Sequence, residues 1–226
     1  MNYESYRISG REESMMTSSE KKVTDFFRRI LDISGALFFF FVFGVLFLCV
    51  WMLVIISTGR PAIYKHKRVG KNGKEFFCLK FRSMVVNSDQ VLKELLERDV
   101  EARREWESTF KLKSDPRVTR FGRFIRKTSL DELPQFWNVL KGEMSLVGPR
   151  PVVHQELDRQ YGDHRAFYIA VRPGLTGLWQ ISGRSDVTYT ERIQLDVQYV
   201  KNRSLINDIK ILFKTVKVVF VTKGSY

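Results

Sequence analysis

The chain has 226 residues, with 38 Lys and Arg against 25 Asp and Glu and a formal net charge of +13. That length favours one domain with additions over two full domains, and the charge asks for an anionic partner: nucleic acid, a phosphate-bearing substrate or a membrane surface. The two cysteines, Cys49 and Cys78, have no metal-ligand spacing, which excludes a disulfide framework and makes a reducing compartment the default.

Residues 1–21 are polar and aperiodic and read as a flexible tail. Residues 22–58 read as a membrane helix. No charged residue occurs from Ile33 to Gly59, a run long enough for a helix of about 40 Å against a hydrocarbon core of roughly 30 Å. A cleavable signal peptide would start earlier, be shorter and end in a small-residue cleavage site. Lys21, Lys22, Arg28 and Arg29 precede the run, and Arg60, Lys65, Lys67, Arg68, Lys71 and Lys74 follow it. Positive charge on both flanks leaves a spanning and a re-entrant helix open. The flanks, with Gly35 and Gly44, tilt the reading to re-entry.

Next, Asn72-Gly73 lies between two runs of β-formers and predicts a hairpin with a type I′ turn. Residues 88–110 predict a charged amphipathic helix with Ser88 as N-cap. Arg117, Arg120, Arg123 and Arg126 recur among Val118, Phe121, Phe124 and Ile125, the pattern of an interfacial helix that Gly122 would weaken. Residues 171–186 read as a loop that carries a site through Arg172, Trp179 and Arg184. The C-terminal stretch predicts a helix with Leu205, Ile206, Ile209, Leu212, Phe213, Val216 and Val219 on one apolar face and Lys210, Lys214 and Lys217 on the other.

Asp131 and Glu132 stand side by side in Ser129-Leu130-Asp131-Glu132, which matches a capping box. Three neighbours favour chemistry instead. Arg126 and Lys127 precede the pair and Arg150 follows it, so both acids should be ionised. Arg150 lies between Pro149 and Pro151, which stiffen its backbone and suit it to phosphate. A membrane helix and a basic body ask for an anion at the bilayer. Mg²⁺ takes one or two carboxylates plus substrate phosphates, so one acid of the pair could hold metal while the other attacks phosphorus.

These motifs are recognisable. The chain resembles the bacterial sugar transferases, monotopic phosphoglycosyl transferases that act on polyprenyl phosphate. The likeness rests on LDISGAL (31–37), KRVGKNGKEFFCLKFRSM (67–84), SLDELPQ and SLVGPRP within 115–151, RPGLTGLWQISGR (172–184) and 195–219. It covers nearly everything after residue 22 and is closest to short-form enzymes that start exopolysaccharide or capsule repeats with galactose- or glucose-1-phosphate. It implies Asp131 as nucleophile and Glu132 as support for Mg²⁺, the pair serving as metal ligands. Arg126 and Arg150 fall where the family binds phosphate, and Arg184 would sit near the nucleotide-sugar. Arg172 and Lys80 complete the basic set. Where the family has a Ser-Pro pair that breaks the membrane helix, this chain has Gly44-Val45; re-entry is still the expectation, with Asp32 held at the interface.

The fold expected is α+β and mainly helical: a monotopic membrane protein with a re-entrant N-terminal membrane helix, one β-hairpin and amphipathic interfacial helices. Residues 59–226 would be the catalytic domain on the cytosolic face of the bacterial inner membrane. The partners implied are a UDP-sugar, undecaprenyl phosphate and membrane lipid, with no nucleic acid and with a homodimer allowed. The competing reading is a membrane-tethered basic module that binds nucleic acid or anionic glycan without catalysis.

Overall fold

The structure is a computed structural model that describes residues 18–109, 112, 114–183 and 187–220; the expected polar tail lies outside these as far as residue 17. The chain forms two compact units. The first takes in the residues up to Gly44, 65–79 and 134 onwards; the second takes in 45–64 and 80–133.

Helix α1 (Ser18–Thr58) contributes to both units and runs unbroken through Gly44 and Val45. It is long and apolar enough to cross a membrane by length and composition, and most of its large side chains are exposed, Phe41 and Ile56 among them. Its polar residues have specific partners. In the first unit Asp32 accepts hydrogen bonds from the Ser145 hydroxyl and the Leu146 N–H, both at 2.8 Å. Arg29 donates to the carbonyls of Val139 and Leu140. Arg28 lies 3.1 Å from the Asp208 carboxylate. Asp32 and Arg29 are satisfied by protein hydrogen bonds and Arg28 is compensated by the Asp208 charge, although its Nε and Nη2 make no hydrogen bond among the described residues, which is why an otherwise apolar helix can keep them.

Strands β1 (Ile63–Val69) and β2 (Glu75–Phe81) form the expected hairpin. Asn72 and Gly73 both have positive φ, at 59° and 74°, and the Lys74 N–H bonds the Lys71 carbonyl, as a type I′ turn requires. In the second unit the charged helix predicted over 88–110 is two helices, α2 (Ser88–Arg98) and α3 (Val100–Thr109), parted by an extended Asp99. Asp99 restarts the helix, its carboxylate accepting from the Ala102 N–H. Asn87, not Ser88, precedes α2, and it makes no side-chain cap.

Helix α4 (Arg120–Lys127) is capped by Thr119, whose hydroxyl accepts from the Gly122 N–H. Arg117 is not on its basic face. It is buried, paired with Asp115 at 2.7 Å and stacked over Trp106. Phe124 is exposed and Ile125 fully buried among Val50, Val54, Ala62 and Phe81. Gly122 is required rather than merely tolerated, because a Cβ there would lie 1.9 Å from the Ser83 carbonyl oxygen.

In the first unit follow α5 (Gln135–Lys141), β3 (Ser145–Val147), helical turns across 154–164, α6 (Arg165–Ile169), β4 (Gly174–Thr176), α7 (Leu178–Ile181), α8 (Tyr189–Lys201) and α9 (Leu205–Phe220). The stretch expected as a loop thus contains a strand and a helix. Strands β3 and β4 pair in parallel, Ser145 opposite Gly174 and Val147 opposite Thr176, a second sheet beyond the hairpin. Their approach depends on glycine: a Cβ on Gly174 would meet the Gly148 nitrogen at 2.1 Å. On α9 (Leu205–Phe220) much of the apolar face is exposed, and a partly polar side is buried. Asn207, Asp208 and Ile211 are buried, while Ile206, Ile209, Phe213 and Val216 are exposed; Asp208 is drawn in by Arg28 and by the Tyr199 hydroxyl.

Candidate active site

The carboxylate pair lies in the second unit on a single 3₁₀ turn, Leu130–Glu132, directly after α4. Helix α4 ends at Thr128, and Ser129 takes the left-handed conformation, φ 58° and ψ 16°. That position usually holds glycine or asparagine, and a serine there stores strain of about 1 kcal/mol. The turn so made prevents the capping box. Ser129 makes no side-chain cap, and Glu132 instead accepts from Lys80 Nζ at 2.7 Å.

Lys80 also lies 3.9 Å from Asp131, so one ammonium serves both acids. The Asp131 side chain is 13% exposed. Burial pushes its carboxyl up to about 6, with Lys80 and Arg126 opposing and Glu132 adding to the rise. The expectation from sequence was a depressed value; desolvation outweighs the cations. Arg126 is exposed, donates through Nε to the Ser83 hydroxyl at 2.8 Å, and among the described residues forms no ion pair. Lys80, Arg126, Asp131 and Glu132 therefore form one group. A divalent cation fits the two carboxylates if phosphate oxygens fill its remaining positions. Among the described residues no cluster of three metal-ligating side chains exists.

Arg150 and Arg172 belong to the first unit. The Gly148-Pro149 backbone is laced to β4: the Gly148 N–H donates to the Thr176 carbonyl and the Gly174 N–H to the Pro149 carbonyl. Arg150 follows, its guanidinium 5.1 Å from the centre of the buried Trp179 ring and without an ion pair among the described residues. Arg172 donates to the Gly142 carbonyl at 2.7 Å, past the end of α5. Arg184 lies outside the described residues. Sequence reasoning missed Asn138, fully buried, whose amide donates to the Phe77 carbonyl and accepts from the Leu79 N–H, completing the edge of β2. It also missed Arg192 and Glu156; an arginine and a glutamate on helical segments leave no local signal.

Among the described residues the protein is mainly helical, with one membrane-length helix and a half-buried carboxylate pair among basic side chains, an arrangement suited to phosphate chemistry beside a lipid. The chain belongs to the bacterial sugar transferase family, which matches residues 23–222. It is 56% identical over 206 residues to the undecaprenyl-phosphate galactose phosphotransferase of Salmonella typhimurium, covering 91% of this chain and 43% of that protein. It is 48% identical over 210 residues to the exopolysaccharide production protein ExoY of Rhizobium meliloti, covering 93% and 92%. With the UDP-glucose:undecaprenyl-phosphate glucose-1-phosphate transferase of Escherichia coli it shares 39% over 207 residues, covering 88% and 41%. The chain thus spans less than half the length of the first and third of these relatives and nearly all of ExoY.

Proposed function

We propose that this protein transfers hexose-1-phosphate from a UDP-sugar, UDP-galactose or UDP-glucose, to undecaprenyl phosphate, and so starts an exopolysaccharide, capsule or O-antigen repeat. The observation that carries the reading is Asp131: buried, on a strained turn, and tied with Glu132 to one lysine. The names of the relatives supply the substrates.

Asp131 attacks the β-phosphorus of the donor. The new carboxylate–phosphorus bond replaces the bond to the bridging oxygen, and UMP leaves with that oxygen. An oxygen of the lipid phosphate then attacks the same phosphorus, breaks the acyl-phosphate bond, and restores the carboxylate while forming the polyprenyl diphosphate sugar. Burial keeps water from that intermediate. Arg126 and Arg150 are the phosphate-binding arginines of this reading, Lys80 orients the pair, and Arg172 acts through the backbone it holds. Mg²⁺ would be held by Glu132 and Asp131 with donor phosphate, and when bound it would offset phosphate charge. The enzyme would work on the cytosolic face of the inner membrane with α1 in the bilayer.

The test is intact mass of detergent-purified protein with Mg²⁺ and a panel of UDP-sugars, without lipid acceptor. A gain of one hexose phosphate in wild type and none in Asp131→Asn is expected. No adduct with any donor, and no UMP on adding polyprenyl phosphate, would overturn the reading.

A further inference from the structure

Behind Arg150 lies a charged cluster that the transfer reaction does not itself use. Arg192, on α8, lies 5.7 Å from the centre of the Trp179 ring, the same indole that carries Arg150, and 3.9 Å from the centre of the Tyr189 ring. Glu156 pairs with Arg192 at 3.0 Å and with Arg68 at 3.7 Å. Burial lowers the Arg68 pKa, with Glu156 opposing and Arg150 adding to the fall, so these groups lie within one another's field. Asp196, 2% exposed, feels both Arg150 and Arg192. Among the described residues Trp179 Nε1, Arg192 Nε and Asp196 Oδ1 are buried without a hydrogen-bond partner. Such a cluster is costly unless it fixes something.

We infer that Arg192 is a positioning residue for Arg150: held by Glu156 and stacked on Tyr189, it fixes the Trp179 ring on which the Arg150 guanidinium rests. The charge pattern supports this. Glu156 is engaged by Arg192 and Arg68, and among the described residues Arg150 is the member of the three whose guanidinium forms no ion pair, which suits it to phosphate. Without Arg192, the indole loses one of its two cationic neighbours, and Glu156 becomes a carboxylate that competes with phosphate for Arg150. Lysine cannot replace Arg192, because a point charge does not stack as a planar guanidinium does. The inference rests on the phosphate role proposed for Arg150.

The test is a double-mutant cycle on UDP binding, by calorimetry on the full detergent-purified chain with Mg²⁺ present. Arg150→Ala is expected to weaken UDP about tenfold and Arg192→Gln about fivefold, with the double variant near tenfold rather than fiftyfold. Arg192→Lys should behave as Arg192→Gln, and it supplies the same comparison if the glutamine variant does not fold. Equal losses from Arg192→Gln with and without Arg150, or wild-type affinity in Arg192→Lys, would overturn the inference while leaving the phosphate reading intact. Unchanged affinity in Arg150→Ala would overturn both.

Discussion

At the scale of single residues, the ionisation of Asp131 suits the nucleophilic role proposed for it. With its carboxyl near pKa 6, it is still ionised about ten to one at pH 7, yet more basic than a surface aspartate. The raised value has a stability consequence with a definite sign. The folded state binds the proton more tightly than the unfolded one, so stability falls as pH rises from about 4 to about 6 and is level above. A shift of about two units corresponds to about 3 kcal/mol. Asp131→Asn, neutral at every pH, should therefore raise stability at pH 7.5 by about 2 kcal/mol while abolishing transfer, and the gain should vanish near pH 4. Thermal midpoints of both proteins across pH 4–8 check this; a gain that persists at pH 4 would assign it to packing. Lys80→Met removes the strongest group opposing the rise. The acid limb of kcat/KM should then move to higher pH, with activity partly recovered at pH 8.5, and an unmoved limb would detach Lys80 from the nucleophile. The grouping of Lys80, Arg126, Asp131 and Glu132 rests in part on a local motif, SLDELPQ, that the sequence displays. The ionisation of Asp131 was not legible, because its burial depends on side chains remote in sequence, such as Val50 and Phe81, in the cluster that packs against Leu130 and Leu133.

At the scale of elements, α4 delivers the turn that carries Asp131 and Glu132, and its seat is backbone on backbone. Thr119 donates its N–H to the Ser83 carbonyl, its hydroxyl caps the helix and accepts from Ser57, and Gly122 lets the helix reach the Ser83 main chain. Gly122→Ala should cost about 3 kcal/mol, since the clash is with backbone that cannot rotate away. Thr119→Ala should cost about 1 kcal/mol, the usual loss of a cap. Denaturant melts of the two variants give the order, and Gly122→Ala should also lose activity through the displaced turn. A glycine inside a helical pattern reads as a weakness in sequence, because only the fold shows what it approaches. The same limit applies to α9. Periodicity set out an apolar face, of which Ile206, Ile209, Phe213 and Val216 are exposed and Leu212 packs on the core, but it gave no sign of the ion pair that buries Asp208 beside it. The hairpin turn, by contrast, was fully legible, since positive φ at Asn72 and Gly73 is a local property.

At the scale of the whole molecule, the placement of α1 follows from what each of its ends touches. Near the start, Arg28, Arg29 and Asp32 are bound to Asp208, to the carbonyls of Val139 and Leu140, and to Ser145 and Leu146, all later in the chain. Near its end, Phe47 packs on Phe81 at 5.0 Å and Ser57 bonds Thr119. A helix that simply crossed the bilayer would leave residues 28–32 on the side opposite the chain that follows it, and those polar groups would lose their partners. Breaking a buried pair of this kind costs about 3 to 5 kcal/mol, and on that ground we propose that the N-terminal tail stays on the cytosolic side. The outcome expected is concrete. A cysteine placed in the N-terminal tail at Ser5, in a chain with Cys49→Ser and Cys78→Ala, should resist a membrane-impermeant maleimide in intact cells and label fully once the cells are opened. Labelling in intact cells would put the tail outside and replace re-entry with a crossing. Asp32→Ala then provides the energetic half of the argument. It should weaken retention of the tail on the inner side and destabilise the protein, because the Ser145 hydroxyl and Leu146 N–H would be left buried and unpaired.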